Sequence, residues 1–185
     1  MKAEIRRQFI HFLFGSAIIS LIALRGVQES LLAISAAFIT GLALSWLIKK
    51  GVSIPVFTPL VERVERGYEK KLPGKGALLF FLGAIIAMAL FQRQEIVLGA
   101  LCVAVYGDAA STLFGIRFGR HKIAGKKTLE GTLGGIALSS VFLLALFQWP
   151  LALAAAIIGM LSELLPVDDN FTIPVAVGLT LSILI

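Results

Sequence analysis

Seven apolar runs, at about residues 8–24, 29–48, 77–92, 95–118, 131–148, 150–166 and 171–185, leave this 185-residue chain little choice of fold. Crossing the ~30 Å hydrocarbon core of a bilayer takes a helix of roughly 20 apolar residues. Most of the runs come near that length, although the third and the last are short. Hydrophobic residues make up 58% of the chain and the mean hydropathy is +0.93, whereas apolar residues are about 45–50% of an ordinary soluble domain. The pattern predicts an all-α fold, a polytopic membrane helix bundle of about seven transmembrane helices, with residues 1–185 forming a single integral-membrane domain. Only a short basic segment precedes the first run, and no small-residue cleavage site follows it before the next, so that run is expected to be retained as a helix and not removed as a signal peptide. The single cysteine, Cys102, lies inside an apolar run. It excludes a disulfide framework or a cysteine-based zinc site within one chain and reads as a packing residue.

The charges sit between the runs. A formal net charge of +6 is a weak argument for a nucleic-acid partner when the basic residues follow membrane topology, and no nucleic acid is expected. If all seven runs span, Lys2, Arg6 and Arg7 share one side with Lys49, Lys50, Arg63, Arg66, Lys70, Lys71 and Lys75 and with Arg117, Arg120, Lys122, Lys126 and Lys127. Only Arg25 and Arg93 face the other. The positive-inside rule places the larger set, and with it the N-terminus, in the cytoplasm.

One apolar run carries an acid. Asp108 lies within 95–118, where an ionisable side chain costs at least ~2.5–3.5 kcal/mol on insertion scales and marks a functional site by default. A purely structural partner for a lysine or arginine is the weaker reading. The segment that follows, YGDAASTLFGIRFGRHKIAGKKTLEGTLGG over 106–135, supplies His121, Lys122, Gly125, Lys126 and Lys127, then Thr128 as an N-cap and Glu130 in the first turn of the next helix. Lysines neutralise phosphate, glycines admit backbone amides close to it, and a helix N-terminus presents free N–H groups to an anion. A carboxylate facing such a loop would hold a divalent metal that bridges phosphate oxygens. The stretch therefore reads as a nucleotide or phosphate site at the cytoplasmic membrane surface, against the alternative of a basic loop that only sets topology.

The same side gathers more acids. Glu163 ends the sixth run, and Asp168, Asp169 and Asn170 follow Pro166, so that five carboxylates from three helices and two loops converge, as in bundles that hold a metal between helices. The competing readings are a helix-end acid for Glu163 and a solvated turn for Asp168 and Asp169. Glu4, Arg7 and His11 share one face of the first helix. His11 is as readily an interfacial histidine as a substrate contact, and Lys75 an interfacial anchor. Gly115 with Gly119, and Gly131 with Gly135, have the spacing that brings helices close. Packing is the expected role of Gly115 and Gly135, phosphate approach that of Gly125 and Gly131.

Between the second and third runs, Thr58 before Pro59 starts a helix, with Leu60, Val61 and Val64 opposite Glu62, Arg63, Glu65 and Arg66. A short interfacial helix is expected there, ending in the turn Pro73-Gly74-Lys75-Gly76.

GDAASTLFGIRFGR (107–120), KKTLEGTLGG (126–135), ELLPVDDNFTIP (163–174), EIRRQFIH (4–11) and PGKG (73–76) together resemble the CTP-dependent lipid-alcohol kinases: dolichol kinase, phytol kinase and the yeast-type diacylglycerol kinase. The last segment is most similar to the phytol kinase branch. The resemblance implies transfer of the γ-phosphate of CTP to the hydroxyl of a membrane isoprenoid alcohol such as a polyprenol, dolichol, phytol or geranylgeraniol, with Mg2+. It implies Asp108, Lys127 and Glu130 as catalytic residues, with Asp108 the general base. Nucleotide would be bound by Gly107, Lys122, Gly125, Lys126, Lys127, Thr128, Gly131 and Thr132. Metal would be bound by Asp108, Glu130, Glu163, Asp168, Asp169 and Asn170, and the lipid alcohol by Arg7, His11 and Lys75. Nothing in composition or spacing selects cytidine over adenine. A membrane cytidylyltransferase that makes a CDP-lipid is the rival enzyme, and a small ion-coupled transporter the rival outside enzymes. The oligomeric state stays open, a homodimer included.

Overall fold

Gly26 turns the first helix back on itself. In the computed structural model, which describes residues 2–55, 57–64 and 72–185, α1 (Lys2–Lys49) is interrupted at Gly26, whose φ of 77° and ψ of 174° are not helical. A side chain there would be strained, because positive φ suits glycine. Gln8 from the first half and Ser45 from the second line the same cavity, so the halves run antiparallel. The break frees carbonyls, and Gln94 takes them up: its Nε2 donates to Ile22 O and Ala23 O, each at 3.1 Å. The two runs expected at 8–24 and 29–48 are these halves.

α2 (Phe57–Val64) follows. Thr58 Oγ1 accepts the Ile54 amide at 2.8 Å, fixing the entry to the helix. The side chains of Leu60, Glu62, Arg63 and Val64, and residues 65–71 altogether, lie outside the described residues, and most of the two-sided pattern expected there lies with them. Val61 lines the cavity just mentioned. α3 (Lys75–Phe91) begins after Gly74.

The fourth apolar run is the axis of the bundle. α4 (Gln94–Cys102) passes through a π-helical turn, Val103–Gly107, into α5 (Asp108–Phe118). This rod touches α1, α3, α6, α7 and α8, and Val97, Leu101, Val103 and Val105 are fully buried in it. Cys102 is buried as expected. The segment expected as a loop then folds into a short antiparallel hairpin of β1 (Lys122–Ala124) and β2 (Lys127–Thr128). Gly125, at φ 53°, makes its turn.

α6 (Leu129–Leu143), α7 (Trp149–Ser162) and α8 (Asp169–Leu184) complete the bundle. α6 and α7 are shorter than the runs at 131–148 and 150–166. Leu143 O accepts the amides of Leu146 and Phe147, each at 2.9 Å, and so closes α6 with a turn. Ser162 Oγ donates to Gly159 O at the end of α7. Small residues set the α5–α6 approach: a Cβ at Gly131 would stand 2.6 Å from Ser111 O, and one at Gly135 would stand 2.9 Å from Gly107 O.

The outside of the bundle is apolar. Leu24, Leu32, Trp149 and Ile183 are between 71% and 82% exposed, an arrangement suited to lipid. Among the described residues, two stretches, Glu4–Lys49 and Gln94–Phe118, are long and apolar enough to cross a membrane. The ends of the bundle differ. The hairpin, Glu163 and Asp169 meet Arg7 at one end, through Lys127 and a shared cavity wall; Arg93, Glu95 and Gln148 gather at the other.

Candidate active site

Lys127 reaches out of the hairpin to three acids from three helices. Its Nζ donates to Asp108 Oδ1 at 3.3 Å, Glu163 Oε2 at 2.9 Å and Asp169 Oδ2 at 3.2 Å. The hairpin register decides which lysine does this. Lys127 pairs with Ala124 across the strands and turns inward, whereas Lys122 and Lys126 stay exposed. Burial opposes the charge on Lys127, but Asp108, Asp169 and Glu163 outweigh it and hold its pKa above the usual lysine value. The ammonium is a fixed charge at any physiological pH.

Each acid is held by its own neighbours. Asp108 is the first residue after the π-helical turn, a local widening that often accompanies functional sites. Its Oδ2 accepts Gln8 Nε2 at 3.2 Å, and the same amide nitrogen donates to Thr112 Oγ1 at 2.9 Å. Glu163, whose side chain is fully buried, takes Ser111 Oγ and Thr132 Oγ1 on Oε1 at 2.8 and 3.1 Å. Asp169 opens α8. Asp168 caps that helix, its Oδ1 accepting the amide and the side-chain Nδ2 of Asn170 at 3.2 and 2.9 Å.

A cavity of about 480 Å³ opens beside these acids. Its walls are apolar side chains of α1, α2 and α3, among them Ile18, Leu44, Phe57 and Phe81, and its polar end is formed by Arg7, Gln8, His11, Asp108, Asp169 and Asn170. Arg7 is paired with Glu4 at 2.6 Å. His11 Nε2 lies 3.5 Å from Ala104 O within the π-helical turn, and its ring meets Phe80 edge-on at 4.8 Å.

Several residues expected at one centre stand elsewhere. Glu130 is away from the other acids: it accepts the amides of Arg120 and His121 and bonds His121 Nδ1 at 2.7 Å. These backbone and imidazole bonds hold its pKa down at about 2, and they tie α6 to the hairpin. Thr128 is the N-cap of α6, accepting the Gly131 amide at 3.2 Å. Gly131 therefore has its amide engaged and its α-carbon against α5. Gly107 is closed in by Met160, whose Sδ would be 2.7 Å from a Cβ there. Gly125 has open space around it. Lys75 is exposed at the start of α3 and does not line the site cavity. Gln8 and Ser111 had no place in the sequence reading, because a single amide or hydroxyl within an apolar run gives no pattern to read.

Among the described residues no three His, Cys, Asp or Glu side chains are disposed to hold a metal ion by themselves. Glu163 has both oxygens engaged. Asp108 and Asp169 are hard oxygen donors of the kind Mg2+ takes, and Mg2+ is commonly bound by one or two carboxylates completed by substrate phosphates.

The profile of the cytidylyltransferase family matches residues 2–184. The chain belongs to the cytidylyltransferase family. This family includes the CTP-dependent lipid kinases, so enzymatic use of CTP on a lipid-related substrate fits the site. An uncharacterized protein of Methanocaldococcus jannaschii is 31% identical over 179 residues, which cover 95% of this chain and 91% of the relative. No solved structure matches this member of the cytidylyltransferase family.

Proposed function

We propose that this protein is a multi-pass membrane kinase that transfers the γ-phosphate of CTP to the hydroxyl of a membrane isoprenoid alcohol, nearest in kind to the phytol kinases. The observation that carries the reading is the cavity whose long walls are apolar and whose head is Asp108 and Asp169. An isoprenoid chain fills the first, and a hydroxyl reaches the second.

Phosphoryl transfer asks the protein for positioning and charge neutralisation more than for covalent chemistry. Lys122 and Lys126 on the exposed face of the hairpin, with the open backbone at Gly125, receive the triphosphate. Lys127, held beside the acids, adds its charge to the phosphates. Asp108 and Asp169 are the residues that would hold Mg2+, which when bound would neutralise phosphate charge. Asp108 accepts the proton of the alcohol as its oxygen attacks the γ-phosphorus; the bond to the β-phosphate oxygen breaks, and CDP leaves. Glu163 keeps Ser111, Thr132 and Lys127 in register. Glu130 is reassigned from catalysis and metal binding to fixing the hairpin on α6, and Asp168 with Asn170 to the start of α8. The basic residues gathered at the site end support a cytoplasmic setting for that end and for the N-terminus.

One observation favours a second reading. Arg7 and His11 at the cavity head also suit a lipid phosphate, the acceptor of a cytidylyltransferase. Membership of an enzyme family gives the transporter reading no support. The test is to incubate purified protein in detergent with Mg2+, CTP or ATP labelled in the γ-phosphate, and a panel of prenols and diacylglycerol. Label passing from CTP into one alcohol is the expected result. Label passing only from ATP removes the donor assignment, and pyrophosphate released on addition of lipid phosphates establishes the cytidylyltransferase.

A further inference from the structure

Gln8 lies within the first apolar run, is 2% exposed, and lines the cavity beside Asp108. Its Nε2 is fully committed to Asp108 Oδ2 and Thr112 Oγ1. This fixes which way the amide points, because the opposite setting would turn its oxygen on the Asp108 carboxylate. Its Oε1 is closed from solvent and has no hydrogen-bond partner. A buried acceptor left unmade is costly, and such groups in folded chains are rare enough to require an explanation.

The atom that would satisfy it has a defined chemistry. A carbonyl oxygen accepts and cannot donate, so the missing partner carries an O–H or N–H. One residue before it, Arg7 also lines the cavity, and its Nε is a buried donor without a partner. An acceptor and a donor without partners, on consecutive residues that line an apolar cavity, match a group that donates once and accepts at least once. A hydroxyl does both.

We infer that Gln8 is the positioning residue for the acceptor alcohol: Oε1 takes the hydroxyl hydrogen bond in the resting complex, while Nε2 holds Asp108 next to the same oxygen. The inference rests on the kinase reading. It adds that the head of the cavity distinguishes an alcohol from an otherwise identical lipid that lacks the O–H, independently of any nucleotide. Ser45, also buried in the cavity wall with an unpartnered Oγ, stands on the second half of α1 and is not required for this distinction.

The probes are geranylgeraniol and its methyl ether, which share the chain and differ in the donor. Affinities are measured by equilibrium dialysis of tritiated ligand against the full chain in a fixed detergent. The ratio of the two is compared between wild type and Gln8→Leu, so that differences in micelle partition cancel. One hydrogen bond to an otherwise unpaired acceptor corresponds to a preference of roughly five- to tenfold for the alcohol in the wild type, and Gln8→Leu is expected to bring the ratio close to one. Gln8→Met is measured in parallel and decides the matter where Gln8→Leu fails to fold. A preference retained in the folded variant, or absent from the wild type, overturns the assignment of Gln8. A Gln8-dependent preference with no transfer of label from CTP by the wild type overturns the kinase reading and leaves the hydroxyl contact standing.

Discussion

Replacing Lys127 by methionine keeps the length of the side chain and removes the one ammonium that three acids share. At 2.9, 3.2 and 3.3 Å from Glu163, Asp169 and Asp108, each pairing is worth a gross attraction of about 5–6 kcal/mol at an effective dielectric near 20. Most of that offsets the desolvation of the four groups. Removing one partner of a buried ionic cluster leaves the rest uncompensated and typically costs about 3–5 kcal/mol. Lys127 is 25% exposed, so the lower end applies, about 3 kcal/mol. In a chain of this length that is a fall of roughly 6–12 °C in melting temperature. Thermal unfolding in detergent, followed by circular dichroism, measures it. The cycle with Glu163→Gln tests the cause: Glu163 is the shortest and most buried partner, so the double variant should be less destabilised than the sum of the single ones by roughly 1–3 kcal/mol. A Lys127→Met protein that melts with the wild type, or single effects that simply add, would refute the shared-ammonium account.

Other consequences follow from the same geometry. Gly131→Ala puts a Cβ against Ser111 O and should destabilise the α5–α6 contact by roughly 1–3 kcal/mol, whereas Gly76→Ala, with nothing within 4 Å, should melt like the wild type. Glu130 has its pKa lowered from 4.5 to about 2 by backbone bonds and His121. A depressed carboxylate contributes stability that is complete above its unfolded value and lost as pH falls through the folded one. The melting difference between wild type and Glu130→Gln should therefore shrink as pH is lowered from about 4.5 toward 2; a difference already gone at pH 5 contradicts it. Asp108→Asn should lower phosphate transfer to the alcohol by roughly 10²–10⁴ as the general base is lost, measured as label entering the lipid phase; full activity would exclude Asp108 as the base.

Much of the bundle is legible in the sequence, because apolar runs of span length, and the gap between the first two of them, are one-dimensional signals. Asp108 stands out for the same reason, an acid where hydropathy excludes one. Lys127, Thr128 and Glu130 were legible as a group but not in their separate directions: strand pairing turns Lys127 inward and leaves Lys126 outside, and only that register shows which lysine meets the acids. Glu163 reads in sequence as a metal ligand or as a helix-end acid, and neither reading shows its partners, because Ser111 and Thr132, which bind it, come from other helices. The glycine at 131 has the spacing for either phosphate or packing, and the distance to Ser111 O decides for packing. The π-helical turn before Asp108 and the cavity across α1, α2 and α3 depend on three-dimensional packing that no periodicity carries. Gln8 was invisible for that reason.

The most direct test of the central claim is which by-product leaves when CTP and an isoprenoid alcohol are supplied together to the purified protein with Mg2+. Phosphorus NMR of the reaction distinguishes them without label. The expected result is CDP and a lipid monophosphate appearing in equal amounts, both formed far more slowly by Asp108→Asn. Release of pyrophosphate with a CDP-lipid, when lipid phosphate replaces the alcohol and with no CDP formed from the alcohol itself, would contradict it.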